Sequence, residues 1–135
     1  MSSDLPPNRD VANDARPLKG KVGVVRVVDA FNYSMAGLRA AFRDEAAFRQ
    51  EVVLAVLLIP LAFFMPASGI GKALMVASVL LVLIIELLNS AVEALADRIS
   101  SEKHELLKKA KDIGSAAVFI ALINVPVVWL LVLLG

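Results

Sequence analysis

The sequence predicts an all-α integral membrane protein: three transmembrane helices preceded by an amphipathic helix lying in the membrane interface. Three observations carry this expectation. Hydrophobic residues make up 59% of 135 positions, and the mean hydropathy of +0.75 is too high for a soluble domain. The apolar residues fall in blocks, and a helix needs roughly 20 mostly apolar residues to cross a bilayer. The basic residues are partitioned between the blocks. Eight of the fourteen Lys and Arg precede Val52, five lie between Arg98 and Lys111, only Lys72 falls between the first two blocks, and none follows the third. The positive-inside rule then puts the N-terminus and the 98–112 segment on the cytoplasmic side.

Residues 1–21 hold three of the six prolines and mixed charge, and are expected to form a disordered polar head. The membrane domain is expected to occupy 22–135. Its first element, about 24–44, repeats Val24, Val28, Phe31, Met35, Leu38 and Phe42 at spacings of four and three. That is the stripe of an amphipathic helix resting apolar face down in the interface. Arg26, Asp29, Arg39 and Arg43 lie off the stripe. Spans are expected at about 47–65, 72–95 and 112–134. "MPASGIG", Met65 to Gly71, reads as a tight turn on the outer side. Pro60 and Pro126 interrupt the first and third spans and are expected as kinks, tolerated where neighbours satisfy the freed carbonyl.

The second span is unusual. "LLVLIIELLNSAVEALADR", Leu80 to Arg98, places Glu86, Asn89, Glu93 and Asp97 at spacings of three, four and four, on one helical face. A carboxylate at the centre of a bilayer helix costs roughly 2.5–3.5 kcal/mol. At about 1.5 Å per residue, Glu86 stands roughly 20 Å along the helix from Lys72, just inside the cytoplasmic boundary. Glu93, two turns on, emerges among headgroups and water. A desolvated carboxylate is a better proton acceptor than a hydrated one, and one at the wet end can hold Mg²⁺ together with phosphate oxygens. Polar glue between helices is the competing role for Glu86 and Asn89. Glu45 and Glu51 add acid before span one. His104, Lys108, Lys109, Lys111, Asp112 and Ser115 precede span three, with Lys111 and Ser115 four apart and facing the same way. For His104 a solvated surface position is the default reading of the residues alone.

Other chemistries are excluded. No cysteine is present, so no disulfide, thiol nucleophile or thiolate metal site is available. "GIGKAL" at Gly69 fails as a phosphate loop: Pro66 stands for the first glycine and Ala73 for the Ser or Thr. No GxGxxG occurs.

Together "EAAFRQE" (Glu45–Glu51), "ELLNSAVEALADRI" (Glu86–Ile99) and "SEKHELLKKAKDIGSAAV" (Ser101–Val118) closely resemble the small prokaryotic diacylglycerol kinases, in the family's order and spacing. The resemblance runs from about Val25 to the C-terminus. It implies a homotrimer of three-span subunits with shared active sites in the bacterial inner (cytoplasmic) membrane. It implies transfer of the ATP γ-phosphate to the primary hydroxyl of diacylglycerol, giving phosphatidic acid, with Mg²⁺ as cofactor. By the same resemblance Glu86 is the general base, and Glu45 and Glu93 hold the metal and with it the nucleotide. Arg26, Tyr33, Glu102, His104, Lys111 and Asp112 match nucleotide-binding positions. Arg26, Ala47, Phe48, Arg49, Gln50, Glu51, Glu86 and Ser115 match the neighbourhood of the lipid substrate, and Asn89 and Asp97 match supporting polar residues. No nucleic-acid partner is expected. The alternatives are an undecaprenol kinase of the same fold and a non-enzymatic transporter or scaffold. A transporter needs charge deeper in the bilayer and on more than one span.

Overall fold

The computed structural model describes residues 22–99 and 104–135. The head at 1–21 and the positions 100–103, including Glu102, lie outside the described residues. The described residues form helices without strands: α1 (Gly23–Asp44), α2 (Ala46–Phe64), α3 (Gly69–Ile99) and α4 (Glu105–Leu134). Three of them, α2, α3 and α4, are long and apolar enough to cross a membrane. The chain divides into two units, the first ending at Gly37 and the second running from Leu38 to Gly135.

In the first unit α1 carries Val24, Val28 and Phe31 exposed on its apolar stripe. Ser34 Oγ donates to the Ala30 carbonyl 2.9 Å away, within the helix.

In the second unit α1 ends at Asp44, and a single non-helical residue, Glu45, separates it from α2. The joint is held by Arg49, whose Nη1 donates to the carbonyls of Phe42 and Arg43, each at 2.8 Å. These are carbonyls that a helix C-terminus leaves without intrahelical partners. At the far end of α2 the link Met65–Ser68 turns the chain back. Ser68 Oγ accepts from the Gly71 N–H at 3.0 Å, capping the N-terminus of α3. Lys72 Nζ reaches back to the Phe63 carbonyl at 2.9 Å. "GIGKAL" is thus the capped first turn of a helix.

α3 is the central element, packing against both α2 and α4. Its contacts with α4 run in antiparallel register. Near the beginning of α3, Gly71 faces Val132, where an added Cβ would stand 2.7 Å from Val132 Cγ1. One turn on, Trp129 Nε1 donates to the Met75 carbonyl at 3.3 Å, and Ser78 Oγ donates to the same oxygen at 2.7 Å. Further along, Asn89 lies over Gly114, and Lys111 pairs with Asp97. Met75 and Ala62 are fully buried, and Ala121 nearly so. Ala94 and Ala117 are exposed in this chain and Ala121 is buried, and at Gly71 and Gly114 an added Cβ would collide with a side chain of the facing helix.

Pro60 and Pro126 lie inside continuous helices. α3 and α4 both run past the expected spans at their charged ends. Hydropathy falls where charge appears, whereas backbone hydrogen bonding does not.

The Trp129–Met75 bond is one of few polar ties between α3 and α4, and such bonds between membrane helices average about 0.6 kcal/mol. Trp129→Phe keeps the ring and loses the donor. It is expected to destabilise by about 0.5–1 kcal/mol, seen as a lowered midpoint of thermal unfolding followed by circular dichroism in micelles.

Candidate functional site

The charged ends of α2, α3 and α4 meet in the second unit. Glu45 occupies the N-cap position of α2 with extended backbone (φ −110°, ψ 108°), yet its side chain makes no capping bond. Its carboxylate is therefore left over for another partner. Two turns into α2, Glu51 is buried, 8% exposed, and its Oε2 has no hydrogen-bond partner. On α3, Glu86 is 5% and Asn89 8% exposed. The charges of Glu93 and Glu45 both reach Glu86, and the charge of Glu86 reaches Glu51. Four carboxylates from two helices thus share one neighbourhood.

Among the described residues no basic side chain pairs with any of the four. Arg49 is committed to the α1 carbonyls, and Arg43 lies against Asp44 with Nε–Oδ1 at 2.8 Å. That guanidinium holds the Asp44 carboxyl below the usual carboxylate range. Lys108 pairs with Asp112 at 2.7 Å and Lys111 with Asp97 at 3.1 Å, all exposed or half-exposed groups. Asn89 Nδ2 donates toward Glu93 Oε1 at 3.5 Å.

Carboxylates are the side chains that a hard divalent cation takes as donors. No three His, Asp or Glu side chains among the described residues close into a cage. Mg²⁺ does not require one, because it is commonly held by one or two carboxylates with substrate phosphates and water. Glu45, whose side chain makes no capping bond, and Glu93, which has no basic partner among the described residues, are carboxylates that could serve in that way.

Beneath Glu51, toward the middle of the spans, lies a cavity of about 140 Å³. Leu54, Leu58, Val82, Leu122 and Pro126 line it with Glu51. The site is acidic on its charged side and apolar on the other.

The remaining expected residues are distributed as follows. Phe48 is buried and Arg49 serves the α1–α2 joint, while Ala47 and Gln50 are exposed. Ser115 is exposed one residue beyond Gly114. His104 is the exposed N-cap of α4, again with no capping bond from its side chain. Arg26 and Tyr33 are exposed in the first unit. Gly114 was not anticipated. Its signal was a glycine inside a helix that should favour any other residue but proline.

A sequence profile described as prokaryotic diacylglycerol kinase matches residues 32–133. The chain belongs to that family. A diacylglycerol kinase of Pseudomonas aeruginosa is 56% identical over 119 residues, 88% of this chain and 97% of the relative. That of Haemophilus influenzae is 53% identical, covering 79% of this chain and 91% of its own length. That of Escherichia coli strain K12 is 50% identical, over 82% and 91% respectively. This family member therefore spans nearly the whole length of the relatives it matches.

Like charges gathered in one site cost stability. Two unit charges roughly 10 Å apart, about the rise from Glu86 to Glu93, repel by about 1.7 kcal/mol at an effective dielectric near 20. Glu86→Gln, isosteric and neutral, is expected to stabilise the ligand-free protein by on the order of 1 kcal/mol. Thermal unfolding in micelles without nucleotide or divalent cation measures it.

Proposed function

We propose that this protein is an ATP-dependent lipid kinase that transfers the γ-phosphate of ATP to the primary hydroxyl of diacylglycerol, forming phosphatidic acid. The observation that carries this reading is the set of unpaired carboxylates on α2 and α3, bordered by an apolar cavity, in a chain of the diacylglycerol kinase family. Phosphoryl transfer asks the protein for positioning and charge neutralisation around an in-line hydroxyl.

Each residue then has a task. Glu86, buried on the apolar side of Glu93, takes the proton of the lipid hydroxyl as general base. Glu45 and Glu93 would hold Mg²⁺, which would supply charge neutralisation for the phosphates of ATP. Asn89 orients Glu93. Lys111 exchanges Asp97 for phosphate, a small loss because exposed ion pairs contribute at most about 1 kcal/mol. His104, Glu102 and Asp112, with Arg26 and Tyr33, belong to the nucleotide side. Phe48, Glu51 and Ser115, with Ala47, Arg49, Gln50 and Arg26, form the surroundings of the lipid, and Asp97 supports Lys111.

The partition of basic residues supports an inner-membrane protein with its N-terminus and site facing the cytoplasm. The exposed apolar faces of the spans, Leu57, Phe119 and Leu131 among them, are consistent with a homotrimer embedded in lipid whose subunits share sites.

The decisive test is transfer from γ-labelled ATP with Mg²⁺ by the full chain in lipid–detergent micelles, offering diacylglycerol and undecaprenol in parallel. Diacylglycerol is expected to be the acceptor, and Glu86→Gln to lower the rate by about 10²–10⁴. Transfer to undecaprenol alone overturns the assigned lipid, and transfer to neither overturns the kinase reading.

A further inference from the structure

Gly114 lies in the interior of α4, where that helix crosses Asn89 of α3. Glycine is a poor helix former, so a position that keeps it without a turn must need the missing side chain. At Gly23, Gly37 and Gly69 an added Cβ would meet nothing within 4 Å. At Gly114 it would overlap Asn89 Oδ1 and stand 3.3 Å from Cγ and 3.9 Å from Cβ of the same residue. The Asn89 side-chain oxygen therefore points into the space over Gly114 that a side chain would fill. The two ends of the amide have different surroundings. Oδ1 is buried over Gly114 with no hydrogen-bond partner, and Nδ2 faces Glu93 Oε1 at 3.5 Å. Turned over, the amide would set its oxygen against a carboxylate oxygen, two acceptors facing each other. Only the orientation with the oxygen over Gly114 offers Glu93 a donor.

We propose that Gly114 is a positioning residue: by carrying no side chain it seats the Asn89 amide against α4 and aims Nδ2 at Glu93, fixing that carboxylate for a divalent cation. Gly114 acts through Asn89 alone. The inference rests on the kinase reading only in taking Glu93 as a cation ligand. A side chain at 114 would push the amide off its seat. The contact on Glu93, already long, would be lost, while Glu45, Glu51 and Glu86 would remain in place.

The probe is Mn²⁺, its free concentration read by electron paramagnetic resonance. The full chain is titrated in micelles with a non-hydrolysable ATP analogue, beside thermal unfolding and transfer assays. Loss of a partner that orients a metal ligand commonly costs 10–100-fold in affinity. Gly114→Ala is expected to weaken Mn²⁺ binding about 10-fold and to raise the Mg²⁺ concentration for half-maximal transfer in step. The KM for diacylglycerol should not change. Asn89→Ala is expected to do the same, and Asn89→Ala/Gly114→Ala to be no worse than Asn89→Ala. Wild-type Mn²⁺ affinity in Gly114→Ala overturns the proposal, as does a further loss on adding Gly114→Ala to Asn89→Ala. If Gly114→Ala does not fold, the Asn89→Ala pair decides: equal Mn²⁺ affinity, weaker than wild type, supports the seat, and any other result overturns it. A wild-type chain that binds Mn²⁺ but phosphorylates neither lipid overturns the kinase reading, and the Mn²⁺ titrations still judge Gly114.

Discussion

Carboxylates repel one another and resist leaving water, and Glu45, Glu51, Glu86 and Glu93 share one neighbourhood. Glu51 and Glu86 are buried, with no basic partner among the described residues. The cost is borne by the rest of the second unit. Arg49 closes the joint between α1 and α2, which fixes where Glu45 stands, and α3 is clamped between α2 and α4, which fixes Glu86 and Glu93. Stability given up at a site is commonly the reverse side of readiness to bind. A bound cation and polyphosphate would turn mutual repulsion into attraction.

The clamp itself is adapted to a medium in which burying apolar side chains gains little, because lipid tails are as apolar as leucine. Packing then depends on close approach and on a few hydrogen bonds. The α3–α4 contacts show both, stepping along α3 as they step back along α4. Gly71 against Val132 and Trp129 on the Met75 carbonyl secure the far end, and Asn89 over Gly114 with Lys111 on Asp97 secure the charged end. The two ends differ in kind. At the far end a side chain donates to a buried backbone oxygen. At the charged end the ties are an exposed ion pair between Lys111 and Asp97 and the close approach of Asn89 to Gly114.

Much of this was legible in the sequence because it is written in short-range patterns. Hydropathy alone marks three spans, and the spacing of Glu86, Asn89, Glu93 and Asp97 puts them on one face of any helix. The conjunction of "EAAFRQE", "ELLNSAVEALADRI" and "SEKHELLKKAKDIGSAAV" leads to the family. What could not be read depends on contacts between residues distant in the chain, or on where a flexible side chain goes. Arg49 stands in a segment matching the lipid neighbourhood, yet its guanidinium serves the carbonyls of α1. Lys111 and Asp97 come from different helices, and nothing in either local pattern pairs them. Gly114 is legible only as an oddity, because its purpose is the shape of Asn89.

As proposed, the site along α3 also solves a problem of delivery. ATP is confined to water and diacylglycerol to the bilayer, so a group that serves both must stand between them. From Glu86 to Glu93 is two turns, roughly 10 Å, comparable to the depth over which a membrane passes from hydrocarbon to hydrated headgroups. A helix crossing that boundary carries its side chains through the gradient at fixed intervals, and one face can therefore present a buried carboxylate to the alcohol and a wetter one to the metal. No soluble lid is then required to keep water from the reacting hydroxyl. In that arrangement the bilayer would do so on one side, with the apolar cavity that Glu51 lines on the other. On the proposed reading, the free energy needed to keep Glu86 out of water is what places its proton-accepting oxygen where a membrane-bound alcohol can meet it.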